Sequence, residues 1–376
     1  MIMKKKKIAI VFGTRPEAIK MAPVILELSK NQDIFDTTVI VTAQHREMLD
    51  QVLKVFKITP DYDLNIMKRN QTLSNITSDV LQGIEKVLLR EKPDMVLVHG
   101  DTTTSFASAL AAYYQQIPIG HVEAGLRTYD KYFPFPEEAN RQLIDNLSEL
   151  FFVPTEATKN NLLNEGVSEE KITVTGNTVI DAIHYTKESK SEHPILKIMD
   201  ESPDTKWILL TMHRRENHGI PMNNVFKALK KLVESREDVS LVMPVHMSPI
   251  VRQSVSNLLS GHERIHLVDP LEVDVFHKLI NRAYLVMTDS GGLQEEAPAL
   301  DVPVLVLRDK TERPEGLEAG TLRIVGTDEE KVSQELNDLL SNEKLYIKMS
   351  KAINPYGDGL ASGRIVNEII NFFNEQ

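Results

Sequence analysis

Cysteine is missing from this sequence of 376 residues. A chain without thiols can form neither disulfides nor zinc–thiolate sites, and it cannot use a cysteine nucleophile. Long apolar runs are missing too, because no segment approaches the ~20 residues of a membrane-spanning helix. Four lysines at positions 4–7 precede only a short apolar segment without a small-residue cleavage site, so we do not expect a signal peptide. We expect a cytoplasmic protein without a membrane partner.

Positive charge is scarce, with 43 Lys and Arg residues against 54 Asp and Glu residues and a net charge of -11. An acidic surface of this kind argues against nucleic acid as a partner. If the ligand carries phosphate groups, local cations and helix N-termini must bind it, because the overall field repels it.

What the chain does contain is an alternation of short apolar runs and amphipathic helical segments, which occurs twice. The predicted strand at 8–12, followed by Gly13 and by a helix with Pro16 in its first turn, is typical of the start of a doubly wound sheet. A polar segment at 187–204 is the predicted linker, and the pattern restarts with a strand at 207–211. The sequence therefore predicts an α/β protein with two Rossmann-like domains. The predicted domains are residues 1–186 and 205–359.

Three carboxylates stand out in the first predicted domain. Asp101 and Glu123 each follow a predicted buried strand, and Glu137 follows in a proline-broken loop. Doubly wound sheets bind ligands at the carboxyl ends of their strands, so we expect these side chains to converge. With His99 and His121 nearby they could hold a divalent metal, although the usual metal-binding spacings of histidine are missing. The alternative is proton transfer, with the carboxylates acting as acid and base.

A glycine pair follows the predicted strand at 285–288. Ser290 is predicted to cap the next helix, and Gly291 and Gly292 leave room for an anion to approach free backbone N–H groups. A carboxylate behind such a site, Glu296, suits the hydroxyl groups of a ribose. We interpret the segment as a site for the diphosphate and ribose of a nucleotide, and the alternative is an ordinary strand-to-helix turn.

Three cationic stretches also follow predicted strands. Arg15 and Lys20 come after the first strand and are suited to phosphate, but the Gly-Lys-Ser/Thr ending of a Walker loop is missing. His213 is followed by two arginines near the start of the second domain, and Arg313 lies in the charged run 308–315. Each stretch could be solvated surface charge, but their shared position at strand ends favours an anionic ligand.

Six blocks of sequence carry these features: FGTRPEAIKMAP at 12–23, VHGDTTT at 98–104, HVEAGLR at 121–127, PEEANR at 136–141, TMHRREN at 211–217 and DSGGLQEEAP at 289–298. In this order they resemble the non-hydrolysing UDP-N-acetylglucosamine 2-epimerases of bacteria. The resemblance implies a GT-B fold, in which two Rossmann-like domains enclose an active site in the cleft between them. It also implies that the second domain binds UDP and that a C-terminal helix at 360–376 crosses back to the first domain.

That family interconverts UDP-N-acetylglucosamine and UDP-N-acetylmannosamine, so the resemblance implies a reversible epimerisation at C2 of the sugar. UDP is eliminated to leave a 2-acetamidoglucal and is then added back with the opposite configuration at C2. The resemblance implies no redox cofactor and no metal. It further implies a supply of precursor for cell-envelope polysaccharides, a homodimer, and a second UDP-N-acetylglucosamine molecule that binds beside the first as an allosteric activator.

The resemblance also assigns roles to residues by their positions in the motifs. Phe276 is expected near the uracil. The catalytic group comprises Asp101, Glu123, Glu137 and His213. The substrate-binding group comprises Arg15, Lys20, Phe276, Ser290, Gly291, Gly292, Glu296 and Arg313. The allosteric group comprises Gln44, His45, Arg46, Arg69 and Arg214.

Three other functions are compatible with parts of the sequence. A hydrolysing relative would release free N-acetylmannosamine and UDP. A GT-B glycosyltransferase would need an acceptor site and would leave the clustered carboxylates without a role. A catalytically silent UDP-sugar sensor would have no use for intact Asp101, Glu123 and Glu137.

Overall fold

The chain forms two compact units in the computed structural model, which describes residues 5–43, 46–68 and 71–375. Unit 1 comprises Met1–Ala182 together with Tyr356–Gln376, and unit 2 comprises Ile183–Pro355. The division falls within a helix, Thr178–Lys187. The segment predicted as a linker, 187–204, belongs to unit 2 and contains a helix of its own, so it is not an extended connection.

Unit 1 is built around a seven-stranded parallel sheet. Its strands are β1 (Lys6–Phe12), β2 (Phe35–Val41), β3 (Tyr62–Asp63), β4 (Met95–His99), β5 (Ile119–Val122), β6 (Leu150–Val153) and β7 (Ile172–Val174). Their spatial order is β3-β2-β1-β4-β5-β6-β7. The chain therefore adds strands outward from β1 on one side and then returns to add β4 and its successors on the other, as in doubly wound folds.

Helices cover this sheet and begin at residues suited to helix N-termini. Thr14 starts the first helix in a capping box, with Pro16 in the first turn. Thr102 and Thr155 cap two others in the same way, by accepting a hydrogen bond from a backbone N–H three residues on. The helices are α1 (Arg15–Lys30), α2 (Arg46–Phe56), α3 (Leu73–Glu91), α4 (Thr103–Tyr114), α5 (Glu137–Leu147), α6 (Glu156–Asn164) and α7 (Thr178–Lys187).

Unit 2 repeats this architecture with a six-stranded parallel sheet. Its strands are β8 (Lys206–Thr211), β9 (Val239–Pro244), β10 (Ile265–Val268), β11 (Leu285–Thr288), β12 (Val304–Val306) and β13 (Leu322–Ile324), in the order β10-β9-β8-β11-β12-β13. Its helices are α8 (Pro194–Asp200), α9 (Ile220–Ser235), α10 (Pro249–Leu258), α11 (Val273–Arg282), α12 (Leu293–Glu296), α13 (Pro314–Ala319), α14 (Glu329–Ser341) and α15 (Glu343–Ser350). The predicted α/β fold of two Rossmann-like domains is confirmed.

The central strands are apolar throughout because helices cover both faces of each sheet. In β1, residues Ile8, Ile10 and Phe12 are fully buried, and so are the alternating residues Ala9 and Val11. Each large aliphatic side chain buried in this way stabilises the fold by about 1.5–3 kcal/mol relative to exposure. Apolar runs of this kind are the signal by which the sequence predicts the strands.

The last helix, α16 (Ala361–Asn374), belongs to unit 1 and packs against α1. Asp181 fixes its first turn, because the carboxylate accepts hydrogen bonds from the backbone N–H groups of Ala361 at 3.2 Å and Ser362 at 2.8 Å. A carboxylate at this position satisfies two N–H groups that have no partner inside the helix and also complements the helix dipole. Within the described ranges, no helix is long and apolar enough to cross a membrane.

Candidate active site

The loops that carry the candidate residues of unit 1 follow strands at the point where the strand order reverses. β1 and β4 are neighbours, but the chain proceeds from them in opposite directions across the sheet. Doubly wound folds bind ligands outside the carboxyl ends of such a strand pair. Gly13 follows β1, Asp101 follows β4 by two residues, and Glu123 follows the adjacent β5. The candidate carboxylates therefore lie where this fold provides a binding crevice.

Glu17 closes the turn after β1, and its side chain is buried. Its Oε2 atom accepts hydrogen bonds from the backbone N–H groups of Gly13 at 3.0 Å and Thr14 at 2.8 Å. Its Oε1 atom accepts from Thr102 Oγ1 at 2.6 Å, which ties the turn to the loop after β4. A carboxylate of the chain already occupies these two N–H groups, so they are not available to a phosphate. At this turn, the group suited to contact a phosphate is the guanidinium of the half-buried Arg15 side chain.

Glu123 has a backbone φ of 65°, in the left-handed region that residues other than glycine rarely adopt. Its Oε2 atom accepts hydrogen bonds from Lys20 and from Asn177 Nδ2, the latter at 3.0 Å, and His99 Nε2 is 3.5 Å away. Burial alone would raise the pKa of Glu123, but Lys20 and His99 overcome this effect and lower the pKa well below its ordinary value. The carboxylate is therefore ionised, as a proton acceptor must be. Lys20, predicted to bind phosphate, contacts this carboxylate.

Asp101 is held by the first turns of α5. Arg141 Nη2 donates to Asp101 Oδ2 at 2.8 Å, and Asn140 Nδ2 donates to the backbone oxygen of Asp101 at 2.9 Å. Glu137 begins the same helix four residues before Arg141, and it is half-buried. Residues four apart share a helix face, so α5 presents Glu137 on the side from which Arg141 reaches Asp101.

The two histidines near the carboxylates have hydrogen-bonding and charge partners other than a metal. His99 Nε2 faces Glu123, while the ring nitrogens of His121 contact Asp145 and the backbone oxygen of Gly100. Across the described parts of the chain, no three histidine, aspartate or glutamate side chains are grouped so that they could hold a metal ion. Both rings are therefore engaged by side-chain and backbone groups of the chain itself.

In unit 2 the corresponding reversal of strand order lies between β8 and β11. Asp289 follows β11 directly, is fully buried, and organises the loop after β8. It accepts hydrogen bonds from the backbone N–H groups of His213 at 3.0 Å and Arg214 at 2.9 Å, and from Asn217 Nδ2 at 3.0 Å. One buried carboxylate thus fixes the backbone that presents His213 and Arg214.

The surroundings of His213 favour the neutral imidazole. Burial lowers its pKa below the ordinary value; Asp289 opposes this effect, and His246 and Arg214 reinforce it. The ring of His246 stacks on that of His213 with 5.3 Å between ring centroids. A neutral ring can accept a proton or donate one hydrogen bond to an oxygen of a ligand.

The glycine turn after β11 is flanked by two guanidinium groups. A Cβ atom added at Gly291 would lie 3.9 Å from Arg214 Nη2 and 4.0 Å from Arg313 Nη2. At Gly292 an added Cβ would lie 3.1 Å from Glu296 Oε1, so the absence of a side chain lets this carboxylate approach the turn. The residues predicted to bind the diphosphate and ribose are therefore brought together within unit 2.

Ser290 does not cap the following helix, contrary to the prediction. The backbone of Gly292 is already helical, with φ of -61° and ψ of -42°, and α12 begins one residue later without a side-chain cap. Ser290 instead donates its backbone N–H to Thr288 Oγ1 at 2.9 Å and accepts from Gln294 Nε2 at 3.1 Å. Because α12 has only four residues, the guanidinium groups supply most of the positive charge at this turn.

Helix α11 carries Phe276, which is partly buried against the apolar core of unit 2. The next residue, His277, is buried, and its Nε2 atom lies 3.6 Å from Glu296 Oε2. Its Nδ1 atom lies 2.6 Å from Thr186 Oγ1. Phe276, predicted for the uracil, is therefore next in sequence to His277, which lies close to Glu296, predicted for the ribose.

The predicted allosteric residues are only partly described. Gln44, His45 and Arg69 lie outside the described residues. Arg46 begins α2 and forms ion pairs with Asp63 and, at 3.2 Å, with Asp50. Arg214 lies beside Gly291, where it can also contact a diphosphate.

Four residues hold the site in place although the sequence did not predict a role for them. They are Glu17, Arg141, Asn177 and Asp289. Glu17 was detectable, because Thr14 and Glu17 have the spacing of a capping box. Asp289 and Asn177 follow the strands β11 and β7, the same signal that identified Asp101. Arg141 is recognisable only through its distance from Asp101 in space.

These two doubly wound units place the chain in the GT-B-like class of two-domain α/β proteins. A family model described as UDP-N-acetylglucosamine 2-epimerase matches residues 27–370. The chain therefore belongs to the UDP-N-acetylglucosamine 2-epimerase family, whose members are isomerases. The resemblance drawn from the six sequence blocks is confirmed.

Several relatives align with almost the whole chain. The chain is 56% identical over 368 residues to the UDP-N-acetylglucosamine 2-epimerase of Bacillus subtilis, an alignment that covers 98% of this chain and 96% of the relative. The epimerase of Neisseria meningitidis, whose structure contains UDP-N-acetylglucosamine, is 50% identical with a TM-score of 0.87 and coverage of 97% and 100%. The MnaA protein of S. aureus, whose structure contains UDP, is 52% identical with a TM-score of 0.89 and coverage of 98% and 97%.

Proposed function

We propose that this protein catalyses the reversible epimerisation of UDP-N-acetylglucosamine to UDP-N-acetylmannosamine at C2 of the sugar. Membership of the 2-epimerase family supports the reaction class. The observation that carries the proposal is the ionised, nearly buried Glu123 beside Lys20, close in the sheet to the loop that carries Asp101. Proton transfer from carbon needs such a preorganised base.

The proposed reaction is an elimination followed by a re-addition. In the first half a base removes the C2 proton, the C1–O bond to UDP breaks with its electron pair on the oxygen of UDP, and a 2-acetamidoglucal remains. In the second half UDP attacks C1 while a proton is delivered to the opposite face of C2. A single base would return the proton to the face it came from, so inversion requires two proton-carrying groups on different sides. Several carboxylates in one site meet this requirement.

We assign roles to the three carboxylates from their contacts and their exposure. Glu123 is the residue we assign to proton removal, because it is ionised and held by Lys20 and Asn177. Asp101 and Glu137 are assigned to proton delivery and to orientation of the sugar. The side chain of Asp101 is 28% exposed and so is accessible to a ligand.

Departure of UDP is assigned to the cations of unit 2. Arg214 and Arg313 flank the turn at Gly291, where guanidinium groups can neutralise the charge that develops on the diphosphate. His213 is assigned to a hydrogen bond with the diphosphate, and Glu296 to the ribose hydroxyl groups. Ser290, Gly292 and Phe276 complete the proposed nucleotide site.

Further properties come from the family resemblance. We propose that the enzyme is a cytoplasmic homodimer that supplies cell-envelope polysaccharide synthesis. UDP-N-acetylglucosamine is proposed to bind a second time as an activator, through a set that includes Arg46 and Arg214. Neither a metal nor a redox cofactor enters the proposed reaction.

The proposal is tested by following UDP-N-acetylglucosamine with the purified protein by proton NMR. We expect UDP-N-acetylmannosamine to accumulate to a constant ratio with the starting material, with the sugar still attached to UDP. Stoichiometric release of free N-acetylmannosamine and UDP would show a hydrolysing enzyme instead. Consumption only after a sugar acceptor is added would identify a glycosyltransferase.

A further inference from the structure

Beneath the Asp101 turn, unit 1 buries a row of charged side chains that the proposed reaction does not use. His121 is fully buried and Asp145 is 5% exposed. His121 Nδ1 lies 2.5 Å from Asp145 Oδ1, and Arg127 Nη2 lies 2.7 Å from Asp145 Oδ2. Arg127 also pairs with Glu165 at 2.7 Å, which connects the row to the surface.

The hydrogen-bond partners of the His121 ring define its protonation state. Nε2 lies 2.7 Å from the backbone oxygen of Gly100, which can only accept a hydrogen bond. Burial would raise the pKa of Asp145, but the permanently charged Arg127 guanidinium, 2.7 Å from Oδ2, favours the ionised form, so this carboxylate is also only an acceptor. Each ring nitrogen therefore needs a hydrogen of its own, because a lone pair facing either oxygen at these distances would be repelled.

The ring fixes the peptide that precedes Asp101. Gly100 has a φ of 62°, and its N–H donates to the backbone oxygen of Val122 at 2.9 Å while its C=O accepts from His121. Both polar groups of Gly100 are thus tied to the end of β5. The direction in which the chain enters Asp101 is set there, before Arg141 contacts the carboxylate.

We propose that His121 is a positioning residue, held as an imidazolium by Asp145, which fixes the Gly100–Asp101 turn and thereby the orientation of the Asp101 carboxylate. The ring neither gives a proton to the substrate nor takes one from it. Asp145 and Arg127 supply the buried charges that make a buried cation tolerable. The role in turnover rests on the proposed function, whereas the charge state of the ring does not.

The first arm of the test reads the charge state directly. The full-length protein is labelled with 15N in its histidine rings, and the ring signals are recorded by NMR at neutral pH, with the His121 signals assigned through H121Q. We expect protons on both ring nitrogens of His121. In D145N the side-chain amide can donate to Nδ1, so we expect a neutral ring with its proton on Nε2. A neutral ring in the unsubstituted protein would overturn the proposal.

The second arm measures kcat and KM for UDP-N-acetylglucosamine. A misplaced catalytic group costs on the order of 100-fold in rate, so we expect H121A to lower kcat by roughly 10- to 100-fold with KM within about threefold. In H121Q the amide can donate to Gly100, but its oxygen faces Asp145, and the double variant H121Q/D145N removes this repulsion. We expect the double variant to be several-fold faster than H121Q. H262Q, at a half-buried histidine in a turn of unit 2, serves as the control.

Unchanged kcat in H121A, or no gain in the double variant over H121Q, would refute the positioning role. If H121A does not fold, the comparison of H121Q with the double variant still decides the question. If the unsubstituted protein shows no epimerisation, the proposed function fails, while the NMR result on the ring stands by itself.

Discussion

Glu123 combines a left-handed backbone with a side chain that is 12% exposed and in contact with a lysine. A conformation of this kind costs on the order of 1–3 kcal/mol and persists only where the surroundings impose it. Here the neighbouring N–H groups of Glu123 and Ala124 both donate to the backbone oxygen of Phe152, at 3.0 Å and 3.2 Å. The resulting turn directs the carboxylate toward Lys20 and Asn177.

Replacing Glu123 with glutamine tests its assignment to proton removal. The amide keeps the size of the side chain but cannot accept the C2 proton, so we expect kcat to fall by about 100-fold or more. Binding of UDP, measured by calorimetry, is expected to stay within about threefold because the cations of unit 2 are unchanged. Glu149→Gln, at an exposed glutamate paired with Lys171, is the control. Turnover of E123Q at the rate of this control would remove Glu123 from the mechanism.

The pH dependence of His213 tests the neutral state assigned to it. Burial lowers its pKa, so its imidazolium should form only at a pH below the range of an exposed histidine. Because the unfolded chain then binds the proton more readily, this group contributes stability that is present above the ordinary histidine range and is lost as the pH falls through the lowered pKa. We expect His246→Asn to raise the midpoint in an NMR titration, since the effect of His246 that lowers the pKa of His213 is removed. A midpoint at or above the ordinary value in the unsubstituted protein would contradict the assignment.

At the scale of elements, the first turn of α1 is connected to the loop after β4 through Glu17. The carboxylate caps α1 and also accepts from Thr102, which itself caps α4. Two helices that start at neighbouring strands are therefore fixed relative to each other by one buried side chain. The same side chain therefore also fixes the turns that carry Arg15 and Asp101.

Glu17→Ala tests the connection between the two helix starts. Removal of the cap and of the buried acceptor is expected to lower the free energy of unfolding by about 2–4 kcal/mol, measured by urea denaturation. Glu17→Gln should lose less, because its carbonyl oxygen can accept from the two N–H groups while its amide donates to Thr102. The control is Glu27→Ala on the same helix, a residue paired with Lys30 at the surface. Equal stabilities of the Glu17→Ala and Glu27→Ala variants would refute this account.

The sequence predicts the buried elements well and the short ones poorly. The predicted strand at 285–288 coincides with β11, and the predicted strand at 8–12 lies within β1, because both are continuous apolar runs. β7 and β13 have three residues each and were not predicted, since so few residues show no periodicity. The capping prediction for Ser290 failed because the start of α12 depends on the backbone at Gly292. The contact of Glu17 with Thr102 spans 85 positions and has no local signal.

At the scale of the whole molecule, the chain carries a net charge of -11 but is proposed to bind a diphosphate. The acidic excess repels anions over the surface, so a diphosphate needs local cations such as the guanidinium pair beside Gly291. In unit 1, carboxylates lie where the strand order of the sheet reverses. In unit 2, arginines lie at the equivalent position of its own sheet.

Isotope exchange tests most directly whether the protein breaks and re-forms the C2–H bond of the sugar. UDP-N-acetylglucosamine is incubated with the protein in deuterated water, and the recovered nucleotide sugars are examined by NMR and mass spectrometry. We expect one deuterium at C2 in both epimers, incorporated with the approach to the constant ratio, because the proton removed exchanges with solvent before its replacement is delivered. Formation of UDP-N-acetylmannosamine without deuterium, or no exchange at all, would contradict this account.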